Sequence, residues 1–216
     1  MRKAVIFDLD GVITDTARFH FLAWRRMASE IGITIDEKFN ETLKGVDRMG
    51  SLERILAKGD KQYSDSKKHE LADKKNEYYK DLIKGMSAKD LLPGAASALN
   101  TLKEMGVKRG LASVSKNAGT ILDRLGITNL FDYVVDANHI AKGKPDPEIF
   151  LTAAKELHVS PQECVGVEDA VAGIQAIKSA GMYAIGIGDR SVLNQADRVI
   201  PDLTSMPLGE AFKAIP

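Results

Sequence analysis

The sequence predicts an α/β protein with a Rossmann-like core, a mostly parallel sheet and an inserted all-helical cap. Three observations predict it. A rhythm of amphipathic helix, glycine, then short apolar strand recurs from residue 91 onwards. One more apolar strand opens the chain at Ala4–Phe7. Between them, residues 15–90 carry helical periodicity alone. Short strands alternating with helices imply a parallel sheet covered on both faces. A helical block inside such a pattern reads as a separate lid.

The elements follow in order. Behind Ala4–Phe7, the insert holds helices over Ala17–Ile31, Ser51–Ala57 and Ser66–Lys84. In the last, Leu71, Lys75, Tyr78 and Leu82 fall at i, i+4, i+7 and i+11, and Gly85 closes it. Ala95–Met105 places Ala98, Leu99, Leu102 and Met105 on one face; Gly106 ends it, and Val107–Ala112 is the next strand. Asn117–Leu125 and Gly126 repeat the pattern, followed by a strand at Tyr133–Val135. Asp146–Pro147 is an N-cap and N1 proline for a helix over Glu148–Leu157. Strands at Cys164–Val167, Tyr183–Ile187 and Arg198–Ile200, with the helix Ala170–Ala180 and Gly181 between the first two, complete the reading. Residues 1–14 and 91–216 are thus expected to form the core and 15–90 the cap, with joints near Thr14–Thr16 and Lys89–Pro93.

Bulk composition narrows the function. The 216 residues hold 30 Lys plus Arg and 30 Asp plus Glu, a formal net charge of zero. That balance favours neither nucleic acid nor an anionic membrane. A single cysteine, Cys164, permits no intrachain disulfide and reads as inert packing in a strand. The apolar run behind Met1-Arg2-Lys3 is interrupted at Asp8 and Asp10, unlike a signal peptide. A soluble cytoplasmic protein is expected, and a monomer, because one sheet rim and one lid suffice for a site. His69, His139 and His158 lack zinc-ligand spacing, and Gly186-Ile187-Gly188 reads as a strand-end turn rather than a dinucleotide fingerprint.

Ligands of parallel α/β sheets bind beyond the carboxyl ends of the strands. Those ends carry Asp8, Asp10 and Gly11; then Ser113, Val114, Ser115, Lys116 and Asn117; then Lys142, Gly143 and Lys144; then Glu168 and Asp169. Carboxylates, hydroxyls and a lysine on one rim suit metal-assisted phosphoryl transfer. Magnesium prefers oxygen ligands, which the Asp8 carboxylate, the Asp10 main-chain carbonyl and Asp169 offer, with Glu168 direct or through water. Lys144 offsets the charge of phosphate beside carboxylates. Ser113 and the amides after it make an anion seat. Asp8 is the nucleophile, and Asp10, two residues on, the general acid and base.

The chain also resembles a known family. Phe7-Asp8-Leu9-Asp10-Gly11-Val12-Ile13-Thr14-Asp15, Gly110-Leu111-Ala112-Ser113, Gly143-Lys144-Pro145-Asp146-Pro147 and Gly166-Val167-Glu168-Asp169-Ala170 are similar, in order, to the four motifs of the haloacid dehalogenase (HAD) superfamily. Within it, Asp15-Thr16, His20, Trp24, Leu43-Lys44-Gly45-Val46-Asp47-Arg48 and Ala112-Ser113-Val114-Ser115-Lys116-Asn117 resemble the sugar-phosphate mutase branch. That resemblance implies Mg2+ as cofactor and interconversion of β-D-glucose 1-phosphate and glucose 6-phosphate, with glucose 1,6-bisphosphate as primer and intermediate. It implies that Arg48 grips the phosphate distal to the reaction, with Ser115, Lys116 and Asn117 at the same end of the sugar. Thr16 and His20 would couple the cap to Asp10, and Ser51 and Lys75, with Lys44, Gly45 and Val46, would line the cap side. A phosphorylase releasing β-glucose 1-phosphate is the implied metabolic supplier. Val114 and Asp47 depart from the branch's usual alanine and small hydroxyl, and Asp47 adds negative charge beside the phosphate clamp. Two rivals remain: a sugar-phosphate phosphatase of the same superfamily, and a receiver-like phosphorylation switch. The helical insert and a nucleophile on the first strand weigh against the switch.

Overall fold

A computed structural model describes residues 2–43, 46 and 48–215. Its elements run β1 (Ala4–Phe7), α1 (Ala17–Glu30), α2 (Glu37–Glu41), α3 (Arg48–Leu56), α4 (Asp65–Ile83), α5 (Ala95–Glu104), β2 (Lys108–Leu111) and α6 (Ala118–Leu125). They continue with β3 (Tyr133–Val134), α7 (Glu148–Glu156), β4 (Cys164–Glu168), α8 (Val171–Ser179), β5 (Tyr183–Ile187), β6 (Arg198–Ile200) and α9 (Glu210–Lys213). The chain divides into two compact units, Met1–Asp15 with Ser87–Pro216, and Thr16–Met86.

The first unit is built on one sheet in the order β3-β2-β1-β4-β5-β6, with every pairing parallel. β1 lies between β2 and β4 and all four of its residues are buried. A strand covered on both faces needs no polar alternation, which is why Ala-Val-Ile-Phe is apolar throughout. Ala4 and Ile6 share a core with Ile149, Phe150 and Ala153 of α7 and Ile174 and Ile177 of α8. Strand order reverses at β1: the chain steps to β2 and β3 on one side and returns to β4 on the other. The crevice beyond the ends of β1 and β4 is therefore the switch point where such sheets bind ligands.

The second unit is helical. Phe21, Trp24, Met27 and Ala28 of α1 form its core with Leu52, Ile55 and Leu56 of α3 and Leu71 and Ala72 of α4. α2 has no counterpart in the sequence reading. It is five residues long, buries none of them, and is nucleated by Asp36, whose Oδ1 accepts the Phe39 N–H at 2.7 Å. α3 begins at Arg48, three residues before the expected Ser51, so Arg48 stands on a helix.

Smaller differences fall at element ends. β4 extends through Glu168, which was expected just beyond it. α7 is assigned from Glu148, although Pro147 already has helical angles (φ −73°, ψ −5°) and Asp146 Oδ1 accepts the Glu148 N–H at 3.0 Å, as a capping aspartate does. Among the described residues, no helix is long and apolar enough to cross a membrane.

Candidate active site

The site in the first unit grows from the ends of β1 and β4. Asp8 continues β1: its N–H donates to Val167 O at 2.9 Å, and its side chain is buried. Strand alternation puts it on the face of Ala4 and Ile6. Glu168 ends β4 on the same face as Cys164 and Gly166, and is 2% exposed. Gly173 of α8 makes that possible. A Cβ at Gly173 would stand 2.0 Å from the Glu168 carboxyl carbon, so no other residue leaves room for the carboxylate. Gly11 does the same for Asp169. Its φ is +74°, and a Cβ there would stand 1.9 Å from Asp169 Oδ2.

Three carboxylates meet as a result. Oxygens of Asp8, Glu168 and Asp169 all lie within 4.8 Å of one another. The Asp10 carboxylate is not in that set; its backbone pairs with Thr14 in an isolated bridge, and the Gly11 N–H donates to Thr14 O at 2.8 Å. Lys144 supplies the compensating charge. Its Nζ donates to Asp8 Oδ1 and, at 2.7 Å, to Glu168 Oε2, and lies 5.2 Å from the centre of the Phe150 ring.

The electrostatics follow from burial and these neighbours. Burial raises the pKa of Glu168, the Asp8 charge raises it further, and Lys144 only partly offsets them. Burial and then Asp8 raise Asp169 as well. Burial alone would lower the Lys144 ammonium, but Asp8 and Glu168 outweigh it and the net shift is upward. Lys144 is thus a permanent cation among acids that resist full ionisation. An all-oxygen donor set short of positive charge suits a hard divalent cation such as Mg2+.

Ser113 is buried at the end of β2. Its Oγ accepts the Ser115 N–H at 3.1 Å, and Ser115 Oγ accepts the Asn117 N–H at 3.3 Å, two successive hydroxyl turns leading into α6. Lys116 is exposed, and Val114 is 56% exposed.

The second unit has its own cluster. Thr16, buried, precedes α1, and its carbonyl accepts the His20 N–H at 3.0 Å. Lys75, also buried, places Nζ 2.7 Å from His20 Nδ1 and 4.7 Å from the centre of the Trp24 ring. The His20 ring stacks on Tyr79 with centroids 4.1 Å apart. Burial, then the charges of Lys75 and Arg48, hold the His20 pKa well below 6.5. Arg48 donates from Nη2 to Asn76 Oδ1 at 3.0 Å and lies 3.9 Å from Asp73. Ser51, buried, donates to Val46 O at 3.3 Å. Lys44, Gly45 and Asp47 lie outside the described residues.

The structure therefore brings Asp8, Lys144, Glu168 and Asp169 together in one unit, and His20 and Lys75 in the other. Sequence reasoning missed Gly173, Tyr79 and Asn76. A glycine in a helix, one turn behind a motif carboxylate, is the one sequence clue to Gly173. Nothing local marks Tyr79 or Asn76.

Known proteins resemble this chain in sequence and in fold. A family model described as "Hydrolase: haloacid dehalogenase-like hydrolase" matches residues 2–181. The β-phosphoglucomutase of Bacillus subtilis (strain 168) is 51% identical over 208 residues, covering 95% of this chain and 92% of that protein. A phosphorylated carbohydrates phosphatase of Thermotoga maritima is 33% identical, over 85% of this chain and 83% of that one. The crystal structure of β-phosphoglucomutase from Clostridium difficile superposes with a TM-score of 0.88 and 50% identity, over 95% of this chain and 93% of that chain.

Proposed function

We propose that this chain, which belongs to the haloacid dehalogenase-like hydrolase family, is a phosphomutase that interconverts β-D-glucose 1-phosphate and D-glucose 6-phosphate. The observation that carries the reading is a buried Asp8 bonded to Lys144 beside Glu168 and Asp169, in a chain about half identical to a β-phosphoglucomutase along nearly its full length.

In this reading the resting enzyme carries a phosphoryl group on Asp8, placed there by glucose 1,6-bisphosphate as primer. The 6-hydroxyl of β-glucose 1-phosphate attacks that phosphorus, Asp10 takes the hydroxyl proton, and the Asp8–phosphorus bond breaks. The bound product is β-glucose 1,6-bisphosphate. It turns end for end, and the Asp8 carboxylate attacks the phosphorus at C1. Asp10 returns its proton to the departing C1 oxygen, glucose 6-phosphate leaves, and Asp8 is phosphorylated again. Ser113 and Lys144 seat the transferring group, and Lys144 stabilises the charge on its oxygens throughout.

Asp8, the Asp10 carbonyl and Asp169, with Glu168 direct or through water, would hold Mg2+, which would supply charge neutralisation during the transfer. Arg48, Ser115, Lys116 and Asn117 hold the phosphate that does not react. A guanidinium suits that seat because it binds phosphate through two parallel hydrogen bonds. Thr16, His20, Ser51 and Lys75, with Lys44, Gly45 and Val46, serve the cap side of the sugar. The same reading makes the enzyme a monomer fed by a phosphorylase, and a cytoplasmic one, in line with its single cysteine.

The test supplies Mg2+, β-glucose 1-phosphate and a trace of glucose 1,6-bisphosphate, and follows glucose 6-phosphate and free phosphate together. Glucose 6-phosphate should dominate, arise from the β-anomer only, and vanish in Asp8→Asn. Free phosphate in excess would make the protein a sugar-phosphate phosphatase.

A further inference from the structure

Lys144 rides on residues 140–147, a stretch between the 3-10 turn Ala137–His139 and α7 that belongs to neither strand nor α-helix. Ala141, Lys142 and Gly143 within it are exposed, so no packing fixes their backbone. Two acidic side chains close the stretch. Glu148, the first residue of α7, turns its carboxylate back along the chain: Oε1 accepts the Ala141 N–H and Oε2 the Lys142 N–H, each at 2.8 Å. Asp146 completes the fold-back, accepting the Glu148 N–H and donating its own N–H to Gly143 O at 3.1 Å. The helix behind Glu148 is anchored, because Ile149 and Phe150 are fully buried.

A charged acceptor that uses both oxygens on two consecutive amides fixes the orientation of those peptide units as well as their distance. The units it fixes lead directly into Gly143 and Lys144. A lysine has four rotatable bonds, so its ammonium meets Asp8 and Glu168 reproducibly only if its own Cα is fixed. We propose that Glu148 is a positioning residue for phosphoryl transfer, which sets the reach of Lys144 to Asp8 by tethering the loop that carries it. The inference rests on the role given to Lys144 under the proposed function, but not on the identity of the sugar.

A carboxylate in the first turn of a helix is also favoured by the helix dipole, a purely structural role that the experiment must separate. The readout is the rate at which acetyl phosphate with Mg2+ phosphorylates Asp8, taken beside thermal unfolding, for wild type, Glu148→Ala, Lys144→Ala and the double variant. A misplaced catalytic group costs roughly one to two orders of magnitude, so Glu148→Ala should slow labelling about tenfold. Its melting temperature should stay within about 2 °C of wild type. In the Lys144→Ala background the same change should cost nothing more, because residues that act through one group are not additive. Glu148→Gln keeps one acceptor oxygen and should fall between wild type and alanine; it takes alanine's place in the cycle if the alanine variant does not fold.

Labelling at the wild-type rate in either variant would overturn the inference. So would a loss that multiplies with that of Lys144→Ala. A wild type that takes phosphate from acetyl phosphate but makes no glucose 6-phosphate would sink the sugar assignment and leave Glu148 standing. A wild type that is not labelled would remove both.

Discussion

The Lys75 ammonium lies 2.7 Å from Nδ1 of His20. An ammonium only donates, so Nδ1 accepts and the imidazole proton sits on Nε2. The ring is neutral, because burial and the charges of Lys75 and Arg48 hold its pKa well below 6.5. That pairing has a consequence for stability. Between the lowered folded pKa and 6.5, the unfolded chain binds a proton at His20 and the folded chain does not. The contribution of His20 to stability therefore rises with pH across that window. It is fully present above 6.5, declines as pH falls through it, and levels off below the folded pKa. Glu168 and Asp169, raised by burial, act in the opposite direction over the same range, so the readout is a difference: from about pH 7.5 to about pH 5.5, urea unfolding should show the advantage of wild type over His20→Gln, which keeps an acceptor for Lys75, shrinking. An equal slope in the variant would mean that His20 takes up its proton over the same pH range folded and unfolded.

Lys144 counters three carboxylates, and its removal separates two of its effects. Lys144→Met leaves Asp8 and Glu168 without their cation. Phosphoryl transfer should fall by at least about a hundredfold, the usual cost of losing a charge that stabilises a transition state. Divalent binding should respond in the opposite direction. With the ammonium gone, Mg2+ is the remaining means of neutralising the cluster, so saturating Mg2+ should raise the melting temperature of the variant more than that of wild type. A smaller rise in the variant would show that Lys144 helps to hold the metal, which its charge gives no reason to expect.

Strand ends and periodic helices were the legible part of the sequence. β1, β5 and β6 match their expected bounds, because strands buried in a parallel sheet leave apolar runs that turn chemistry delimits. The acidic cluster was legible for a related reason. A doubly wound sheet delivers the residues after each strand to one rim, so strand order alone brings Asp8, Glu168 and Asp169 together. What stayed hidden depends on distances between segments. Gly173 matters because Glu168 points at it, Asn76 because Arg48 ends on it, and Glu148 because its carboxylate turns back seven residues. Of these, only Gly173, in a helix one turn behind a motif carboxylate, leaves a local clue. α2 was missed for the opposite reason: a five-residue helix that buries nothing has no apolar period to read.

Gly173 offers a test in which helix propensity and sterics disagree. Alanine is favoured over glycine inside helices by about 1 kcal/mol, so propensity alone predicts that Gly173→Ala stabilises. The new methyl, however, would stand 2.0 Å from the Glu168 carboxyl carbon. That overlap is far inside contact distance, and it displaces a buried carboxylate from its bond to Lys144. Gly173→Ala should therefore lower both stability and the affinity for Mg2+ measured by calorimetry. Gly119 is the control, since it lies in α6 and a methyl there meets nothing within 4 Å. Gly119→Ala should raise stability by roughly 0.5–1 kcal/mol. If both variants gained stability, the space around Glu168 would be looser than the structure gives.

Arg48 and Asn76 divide affinity from chemistry. Arg48 holds its guanidinium through Asn76 at 3.0 Å; the ion pair with Asp73 is longer, at 3.9 Å, and Asp73 is 80% exposed. An exposed pair of that length contributes little, so Asn76 is the partner that orients the group. If Arg48 holds the phosphate that does not react, Arg48→Ala should raise KM for β-glucose 1-phosphate by at least about tenfold, the worth of one charge-assisted hydrogen bond. Labelling of Asp8 by acetyl phosphate, which has no second phosphate, should proceed at the wild-type rate. Arg48→Lys should recover only part of the loss, since an ammonium cannot make two parallel bonds. Asn76→Ala should raise KM by a smaller factor in the same direction, and Asp73→Ala should not. Slower labelling of Asp8 in Arg48→Ala would place the residue at the reacting phosphate, and the two seats of the mutase reading would have to be exchanged.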